Sequence, residues 1–209
     1  MTLLSSSKIE SSGISHIGPI REENQDSICL VEDFCRGASF FAVADGMGGY
    51  SHGKLASNMA LDTLCETFKA EKGSAAQRLT RGVEAANFNI YQVTQKMGVG
   101  RMGTTLTAVY LEGSHLTVAH VGDSRVYLLR GKQVTCLTRD HTVVGDLVRM
   151  KVLTPDKIRT HAQRSVLTRG VGLAPFVHPD ITHHVLKEGD RLILCSDGLW
   201  SVIEDEELP

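Results

Sequence analysis

The chain is organised around the stretch Phe40-Phe41-Ala42-Val43-Ala44-Asp45-Gly46-Met47-Gly48-Gly49. Its five apolar residues, which include aromatic and β-branched types, predict a buried strand that ends at the Asp45 carboxylate. The glycines that follow have no Cβ, so their backbone groups can come close to whatever the carboxylate holds. Asp-Gly is also a favoured turn dipeptide. However, a second apolar run followed by Asp-Gly occurs at Leu192-Ile193-Leu194-Cys195-Ser196-Asp197-Gly198, and this repetition favours an ion site.

Length and composition predict one domain in the cytoplasm. The chain has 209 residues and no Pro/Gly/Ser-rich linker, so a single domain over residues 1–209 is expected. A formal net charge of −2, with acids and bases mixed along the chain, provides no electrostatic basis for binding nucleic acid or an anionic membrane. No apolar run approaches the ~18 residues of a membrane span, and residues 1–10 do not resemble a signal peptide.

The cysteines provide no sign of a disulfide framework. They are odd in number and form no Cys-x-x-Cys pair. We therefore expect them to be small buried hydrophobic residues in a reducing compartment. They are Cys29, Cys35, Cys65, Cys136 and Cys195.

Hydrophobic periodicity predicts helices and antiparallel strands in one chain. Apolar residues three and four apart predict helices over about 51–69 and 76–97, after a loose tail over residues 1–12. From residue 103 the period changes to two, and four runs separated by tight turns predict an antiparallel meander over 104–137. A mobile surface segment is expected over about 139–172. The remaining predicted elements are a strand over 27–31, a short helix over 143–150, strands over 181–186 and 191–195, and a helical turn near Leu199.

Four carboxylates lie at predicted strand boundaries, namely Asp26, Asp45, Asp123 and Asp197. If these strand ends converge, the site contains only oxygen ligands, which suit Mg²⁺ or Mn²⁺ better than zinc or copper. Two cations would remove the repulsion between the acids and could lower the pKa of a bridging water towards neutrality. Arg21, five residues before Asp26, offers a planar fork for a phosphoryl group. This chemistry permits a dinuclear phosphohydrolase without selecting it.

Five motifs follow one another along the chain. They are Gly18-x-x-Arg21-x-x-Asn24-Gln25-Asp26, Val43-Ala44-Asp45-Gly46-Met47-Gly48-Gly49, Met102-Gly103-Thr104-Thr105, His120-Val121-Gly122-Asp123-Ser124-Arg125 and Cys195-Ser196-Asp197-Gly198-Leu199. In this order they resemble the motifs of the metal-dependent Ser/Thr protein phosphatases, the protein phosphatase 2C-like (PPM) family, in its bacterial form. The resemblance implies an α+β fold, a four-layer α-β-β-α sandwich of two antiparallel sheets flanked by helices. It also implies hydrolysis of phosphoserine and phosphothreonine on proteins by a water that bridges two Mg²⁺ or Mn²⁺ ions.

The resemblance implies a role for each matching residue of the metal pair. Asp45 would bridge the two ions, the carbonyl of Gly46 would bind one of them, and Asp197 would bind the other. Asp26 would lie in the inner or second coordination shell. With the phosphate-binding Arg21, these three acids form the expected catalytic set.

Other positions match parts of the family that surround the metal pair. Asp123 matches an acid that binds a third, weaker metal ion. The segment 139–172 resembles the flap beside the cleft, in which His161 and Arg164 would influence substrate access. Met47 stands where eukaryotic members have His, so His161 or a metal-bound water is the expected substitute for that general acid.

The end of the chain departs from the family pattern. The family continues past the Ser196-Asp197-Gly198-Leu199 motif and places a further metal-binding Asp before its last strand, whereas this chain ends at Pro209. We therefore expect a phosphatase domain that lacks its C-terminal strands. Either the chain is truncated, which we favour, or the protein lacks one metal ligand.

These observations leave three functional hypotheses. The leading one is a metal-dependent protein Ser/Thr phosphatase that acts as a monomer on phosphoproteins and opposes a bacterial Ser/Thr kinase. The second is a catalytically weak or inactive module of the same fold that binds phosphoproteins, because the terminal Asp is absent. The third is a phosphohydrolase of small molecules, which would need a narrow pocket.

Overall fold

The centre of the molecule is formed by two antiparallel sheets. The computed structural model describes residues 9–19, 21–35, 37–48, 52–98 and 100–208. Most of the predicted tail over residues 1–12 lies outside these ranges, as do Gly49, Ser51 and Pro209. In chain order the elements are β1 (Asp26–Cys35), β2 (Ala38–Gly48), α1 (His52–Ala70), α2 (Ala75–Met97), β3 (Met102–Thr104), β4 (Leu106–Glu112), β5 (His115–Val121), β6 (Arg125–Arg130), β7 (Gln133–Cys136), α3 (Val143–Arg149), β8 (Asp180–Val185), β9 (Arg191–Cys195) and α4 (Asp197–Trp200).

The strands divide into a larger and a smaller sheet. The larger sheet has the order β1-β2-β4-β5-β8, with β3 paired to the end of β2, and the smaller sheet has the order β7-β6-β9. Every named strand pair in both sheets is antiparallel. The expected class of two antiparallel sheets flanked by helices is thus confirmed.

Alternating side chains build the layers. Along β2, Phe40 and Ala42 belong to the core between the larger sheet and helices α1 and α2, whereas Phe41 packs into the core between the two sheets. Along β6, Val126 packs against the larger sheet, while Tyr127 belongs to a third core on the outer face of the smaller sheet. That third core is completed by residues of the flap segment and of α4, such as Ile158 and Trp200.

An aromatic cluster anchors α1 to the larger sheet. Phe68, which is fully buried, lies with its ring centroid 5.7 Å from those of Phe34 and Phe40 and 4.8 Å from that of Tyr110. The Arg78 guanidinium lies 3.8 Å from the centroid of the same ring and so ties α2 to α1. The Phe68 ring therefore holds together strands and helices that are distant in sequence.

Helix α2 follows the sequence prediction closely because its ends are well capped. Ser74 Oγ accepts a hydrogen bond from the Gln77 amide, and the Gln77 side chain accepts one from the Ser74 amide. Gly98 follows the last turn in the left-handed conformation, with φ of 65°.

Two details of the sequence prediction were wrong. Strand β2 does not end at Asp45, since Gly46–Gly48 continue it by pairing with β3 instead of β4. The meander over 104–137 is split, because the β4–β5 pair lies in the larger sheet and the β6–β7 pair in the smaller one. The crossing takes place at Gly122, whose φ of 111° is accessible chiefly to glycine. Asp123 consequently lies at the passage between the sheets.

A membrane-crossing helix would have to be longer and more apolar than any helix that the described residues form. This finding agrees with the hydropathy of the sequence.

We predict that Phe68→Ala lowers the free energy of unfolding by about 3–5 kcal/mol, because it leaves a cavity where four other side chains now meet. Urea denaturation followed by circular dichroism measures this loss. Phe88→Ala is the matched control, since Phe88 lies on α2 with 53% of its surface exposed, and its removal is expected to cost less than about 1 kcal/mol. Equal losses for the two variants would contradict the packing described.

Candidate metal centre

The register of the β1–β2 pair brings two acids together. Asp26 lies directly opposite Asp45 as the first residue of β1. Opposite residues of an antiparallel pair project to the same face of the sheet, so the two carboxyl groups lie side by side, and the Asp26 charge raises the pKa of Asp45. The pairing of Asp26 with Asp45 in the antiparallel ladder therefore positions both side chains.

The third acid reaches this pair from the smaller sheet. Asp197 is the first residue of α4, which begins one residue after β9, and the Asp26 charge raises the pKa of Asp197. The preceding residue connects the two elements, because Ser196 Oγ donates a hydrogen bond to Asp26 Oδ2 at 2.9 Å. The carboxylates of Asp26 and Asp197 thus lie within electrostatic reach of Asp45.

The fourth acid is held by the other end of α4. Trp200 Nε1 donates a hydrogen bond to the backbone carbonyl of Asp123 at 2.8 Å, and both residues are buried. The Arg125 guanidinium lies 3.8 Å from the Trp200 ring centroid and forms a buried bidentate ion pair with Asp140 at 3.0 and 2.6 Å. The short helix therefore connects Asp197 at its start with the Asp123 turn at its end.

A threonine joins the Asp45 strand to the Asp123 turn. Thr105 Oγ1 accepts a hydrogen bond from the Asp45 amide at 2.9 Å and hydrogen-bonds Ser124 Oγ at 2.8 Å. The Thr105 amide donates to the Asp45 carbonyl at 2.9 Å, so both backbone groups of Asp45 are held by one residue. Thr105 therefore fixes the backbone of Asp45 relative to the turn that contains Asp123.

The acids have strongly perturbed pKa values because they are crowded and partly buried. Burial, followed by the charges of Asp26, Asp197 and Asp123, raises the pKa of Asp45 to about 8. Burial and the Asp197 charge raise the pKa of Asp123 to about 7. Burial and the Asp26 charge also raise the pKa of Asp197, against the opposing effects of Arg21 and Arg164. The protein itself therefore does not compensate the charge of these carboxylates, and without a cation they tend to take up protons.

This donor set fits a hard divalent cation. All four acids offer oxygen, and a cation between them would remove the repulsion that raises their pKa values. In the part of the chain that the structure describes, no three His, Cys, Asp or Glu side chains converge closely enough to enclose an ion alone. Mg²⁺ and Mn²⁺ do not require such a cage, because water and backbone carbonyls complete their shells.

The glycine after Asp45 is required by the close approach of α1. A Cβ on Gly46 would lie 2.0 Å from the carbonyl oxygen of Gly53, in the first turn of that helix. The Gly46 amide donates a hydrogen bond to the Gln25 carbonyl at 3.2 Å, which also fixes the start of β1. Binding of a metal by the Gly46 carbonyl stays a prediction.

The predicted phosphate and flap residues differ in their relation to the acids. Arg21 and Arg164 are exposed, and the charge of each lowers the pKa of Asp197, so both lie within electrostatic reach of the cluster. The contacts described for His161 belong to the flap segment, since its Nδ1 accepts a hydrogen bond from the Gln163 amide at 3.1 Å. A general-acid role for His161 therefore stays a prediction.

Sequence reasoning did not assign a role to His141, which clamps the Asp123 turn. Its amide donates to the Gly122 carbonyl at 2.7 Å, and its Nδ1 accepts from the Gly122 amide at 3.0 Å. The ring packs on His120 at a centroid distance of 4.7 Å. Its Nε2 lies 3.2 Å from Asp180 Oδ2 but is not aligned for a hydrogen bond.

Three further supporting residues, Thr105, Ser196 and Trp200, were also given no role in the metal site. Thr105 and Ser196 stand inside the quoted motifs, and Trp200 follows the last motif directly. Their places within or directly after the motifs were the only indication of a role in the sequence. The atoms that their side chains contact belong to distant elements and could not be predicted.

A cleft of about 770 Å³ between the two sheets is separate from this centre. It is lined by residues of β5 to β8, including His120, Leu128, Thr135 and Ile181, and none of the four acids lines it. The cleft thus gives no support to a small-molecule pocket at the metal centre.

Comparison with known proteins points to one family. The family described as Protein phosphatase 2C matches residues 13–208. The serine/threonine protein phosphatase PstP of Mycobacterium tuberculosis is 38% identical over 193 residues, which cover 91% of this chain and 36% of PstP. This chain therefore spans about a third of the length of that relative. A putative protein phosphatase 2C-type from Streptococcus pyogenes is 36% identical over 196 residues, covering 92% of this chain and 79% of the relative.

The fold has close counterparts among solved structures. The catalytic domain of the serine threonine protein phosphatase PstP, solved in complex with two manganese ions, superimposes with a TM-score of 0.78 and 35% identity. The match covers 92% of this chain and 79% of that structure.

We predict that Mn²⁺ stabilises this protein through Asp45. Saturating Mn²⁺ is expected to raise the melting temperature by roughly 5 °C or more, because it binds the folded state and removes the carboxylate repulsion. Asp45→Asn is expected to lose most of this shift, while the exposed control Glu66→Gln on α1 keeps it. Thermal unfolding with Mn²⁺ and with chelator measures the shift, and an undiminished response of Asp45→Asn would exclude the site.

We also predict a loss of stability in acid that depends on His120. Burial, followed by the charge of His141, lowers the pKa of His120 to about 3, below the value near 6.5 of an unfolded histidine. Because unfolding then takes up a proton, this contribution is complete above about pH 7 and declines as the pH falls, by about 2 kcal/mol at pH 5.

Urea denaturation of the wild type and His120→Gln between pH 7.5 and 5 checks this expectation. The stability difference between the two proteins should shrink as the pH falls, whereas the exposed control His183→Gln should follow the wild type. A constant difference between wild type and His120→Gln would show that His120 does not titrate as described.

Proposed function

The chain belongs to the protein phosphatase 2C family, and on that premise we propose that it hydrolyses phosphoserine and phosphothreonine on proteins with Mg²⁺ or Mn²⁺ as cofactor. The observation that carries the proposal is the proximity of three acids, because Asp26 lies opposite Asp45 in the β-ladder and Ser196, the neighbour of Asp197, donates a hydrogen bond to Asp26. The relative PstP, whose catalytic domain superimposes on this fold, was solved with two manganese ions.

Asp45, Asp26 and Asp197 would hold the metal pair, and Asp123 would hold a third, weaker ion. When bound, such ions polarise water and phosphate oxygens and neutralise charge that develops during the reaction. Asp45 is suited to contact two ions because the charges of both Asp26 and Asp197 act on its carboxyl group. Thr105 holds its backbone at 2.9 Å on both the amide and the carbonyl side, which limits its movement.

The remaining groups bind the substrate and orient the attacking water. Arg21 and Arg164 are exposed cations beside Asp197, so their guanidinium groups are placed to bind phosphoryl oxygens. The Asp26 carboxylate, fixed by Ser196 at 2.9 Å, is placed to accept a hydrogen bond from water as its oxygen approaches phosphorus. The bond between phosphorus and the serine or threonine oxygen breaks, and that oxygen leaves with a proton as the free hydroxyl.

The setting of this activity forms part of the proposal. We propose a single phosphatase domain whose flap, residues 139–172, contributes Arg164 to the substrate side. We further propose that the protein acts as a monomer in the cytoplasm on phosphoproteins made by a bacterial Ser/Thr kinase. The exposed arginines Arg21 and Arg164 favour a phosphoprotein over a small molecule. The alternative of an inactive binding module is not favoured, because the related proteins are named as phosphatases.

We predict Mn²⁺-dependent release of phosphate from p-nitrophenyl phosphate and from a phosphothreonine peptide. Chelation should abolish turnover, and Asp45→Asn should lower kcat/KM at least ~100-fold, because the substitution removes a charge from the centre of the metal site. Glu66→Gln should match the wild type. Release of inorganic phosphate measures all of these.

Two outcomes would count against the proposal. Turnover that survives chelation would rule out a metal-dependent reaction. A kcat/KM for p-nitrophenyl phosphate that far exceeds that for every phosphopeptide tried would favour a small-molecule phosphohydrolase.

A further inference from the structure

Two cysteines that are distant in sequence lie side by side in the fold. Cys29 on β1 and Cys65 on α1 are separated by 36 positions, yet their Sγ atoms are 3.8 Å apart. Both residues are only partly buried and lie at the margin of the core between the larger sheet and the helices. The expectation of small buried hydrophobic residues holds for Cys195, whereas Cys29 and Cys65 are only partly buried where β1 packs against α1.

The pair belongs to a row of contacts that join β1 to α1. Ser27 and Cys29 project from the same face of β1, since alternate residues of a strand share a face. Ser57 and Cys65 lie about two turns apart on the facing side of α1. Ser27 Oγ hydrogen-bonds Ser57 Oγ at 2.8 Å, so strand and helix are already held together next to the thiols.

The chemical setting of the pair favours a reactive thiolate. The hydrogen bond from Cys65 lowers the pKa of the Cys29 thiol to about 7, and the Lys69 ammonium acts in the same direction against burial and Asp62. A thiol with such a pKa is substantially ionised near neutral pH, and the thiolate is the form that reacts.

We propose that Cys29 and Cys65 form a reversible redox site that a peroxide converts into an intramolecular disulfide. The Cys29 thiolate attacks a peroxide oxygen, the O–O bond breaks, and a sulfenic acid and hydroxide result. Cys65 then attacks Cys29 Sγ through its own sulfur, loses its proton and expels the second oxygen as water. Overall, two thiols and one hydrogen peroxide give one disulfide and two waters.

The geometry requires only a small movement for this reaction. A disulfide bond is about 2.05 Å long, so the two sulfur atoms must approach by less than 2 Å from their present separation. Rotation of the side chains and a slight shift of α1 towards β1 suffice for such an approach. The bond would connect α1 covalently to the strand that begins with Asp26.

The other three cysteines lack such a partner. Cys35 Sγ lies 3.7 Å from the Tyr110 hydroxyl, and Cys136 Sγ is placed near Thr138. Cys195 is buried, and burial raises the pKa of its thiol to about 12. Cys35, Cys136 and Cys195 can therefore serve as internal controls for the reactivity of the pair.

Thiol titration and peptide mapping after mild treatment with hydrogen peroxide test the proposal. The wild type should fall from five titratable thiols, measured after denaturation, to three, and dithiothreitol should restore all five. Mass spectrometry of a non-reduced digest should show one Cys29–Cys65 peptide from protein that remains monomeric on a non-reducing gel. Cys35→Ser should still lose two thiols, and Cys29→Ser should retain all four of its thiols. Cys65→Ser should lose at most one thiol, as a sulfenic acid at Cys29, and should yield no linked peptide.

Several results would overturn the proposal. These are a wild type that keeps five thiols, a linked peptide that contains any other cysteine, or a loss of thiols that dithiothreitol does not reverse. Loss of two thiols by Cys29→Ser or Cys65→Ser would do the same. Because the mapping uses the wild type, the test does not depend on the folding of the variants or on any phosphatase activity.

Discussion

The repulsion between buried carboxylates is the constraint on which this structure depends. Asp45 lies among Asp26, Asp123 and Asp197, and its pKa of about 8 reflects the free energy cost of ionising it there. A fold that only needed to be stable would separate these acids. Three features of this structure instead keep them together: the β-ladder register, the Ser196 hydrogen bond and the position of Asp197 at the start of α4. The scaffold thus stores an unfavourable interaction that a divalent cation relieves.

The two-sheet architecture explains how this repulsion is tolerated. Each acid is fixed through its backbone or by a neighbour that is well packed: Thr105 holds Asp45, and Trp200 holds the Asp123 carbonyl. Trp200 is itself buried in the core outside the smaller sheet, beneath the Arg125 guanidinium. Stability of the three cores therefore compensates for strain at the site, a pattern common at functional sites.

Features that depend on local sequence could be predicted, and those that depend on contacts between distant elements could not. The three- and four-residue spacing of the apolar residues along α2 was sufficient to place that helix. The Asp45-Gly46 stretch could be identified as a candidate ion site because an apolar run followed by Asp-Gly occurs again at Asp197-Gly198. By contrast, the continuation of β2 past Asp45 required β3 as a partner, and the passage of the chain at Gly122 from one sheet to the other left no periodic signal. The contact between Cys29 and Cys65 likewise arises only when α1 packs on β1.

The most direct test of the central claim is the location of Mn²⁺ by anomalous scattering in crystals of this protein. We predict anomalous density within about 2.5 Å of an Asp45 carboxylate oxygen, with Asp26 and Asp197 on either side of it. Manganese bound only elsewhere on the protein, with the Asp45 carboxylate left without a cation at saturating Mn²⁺, would contradict the claim that these acids are gathered to hold metal.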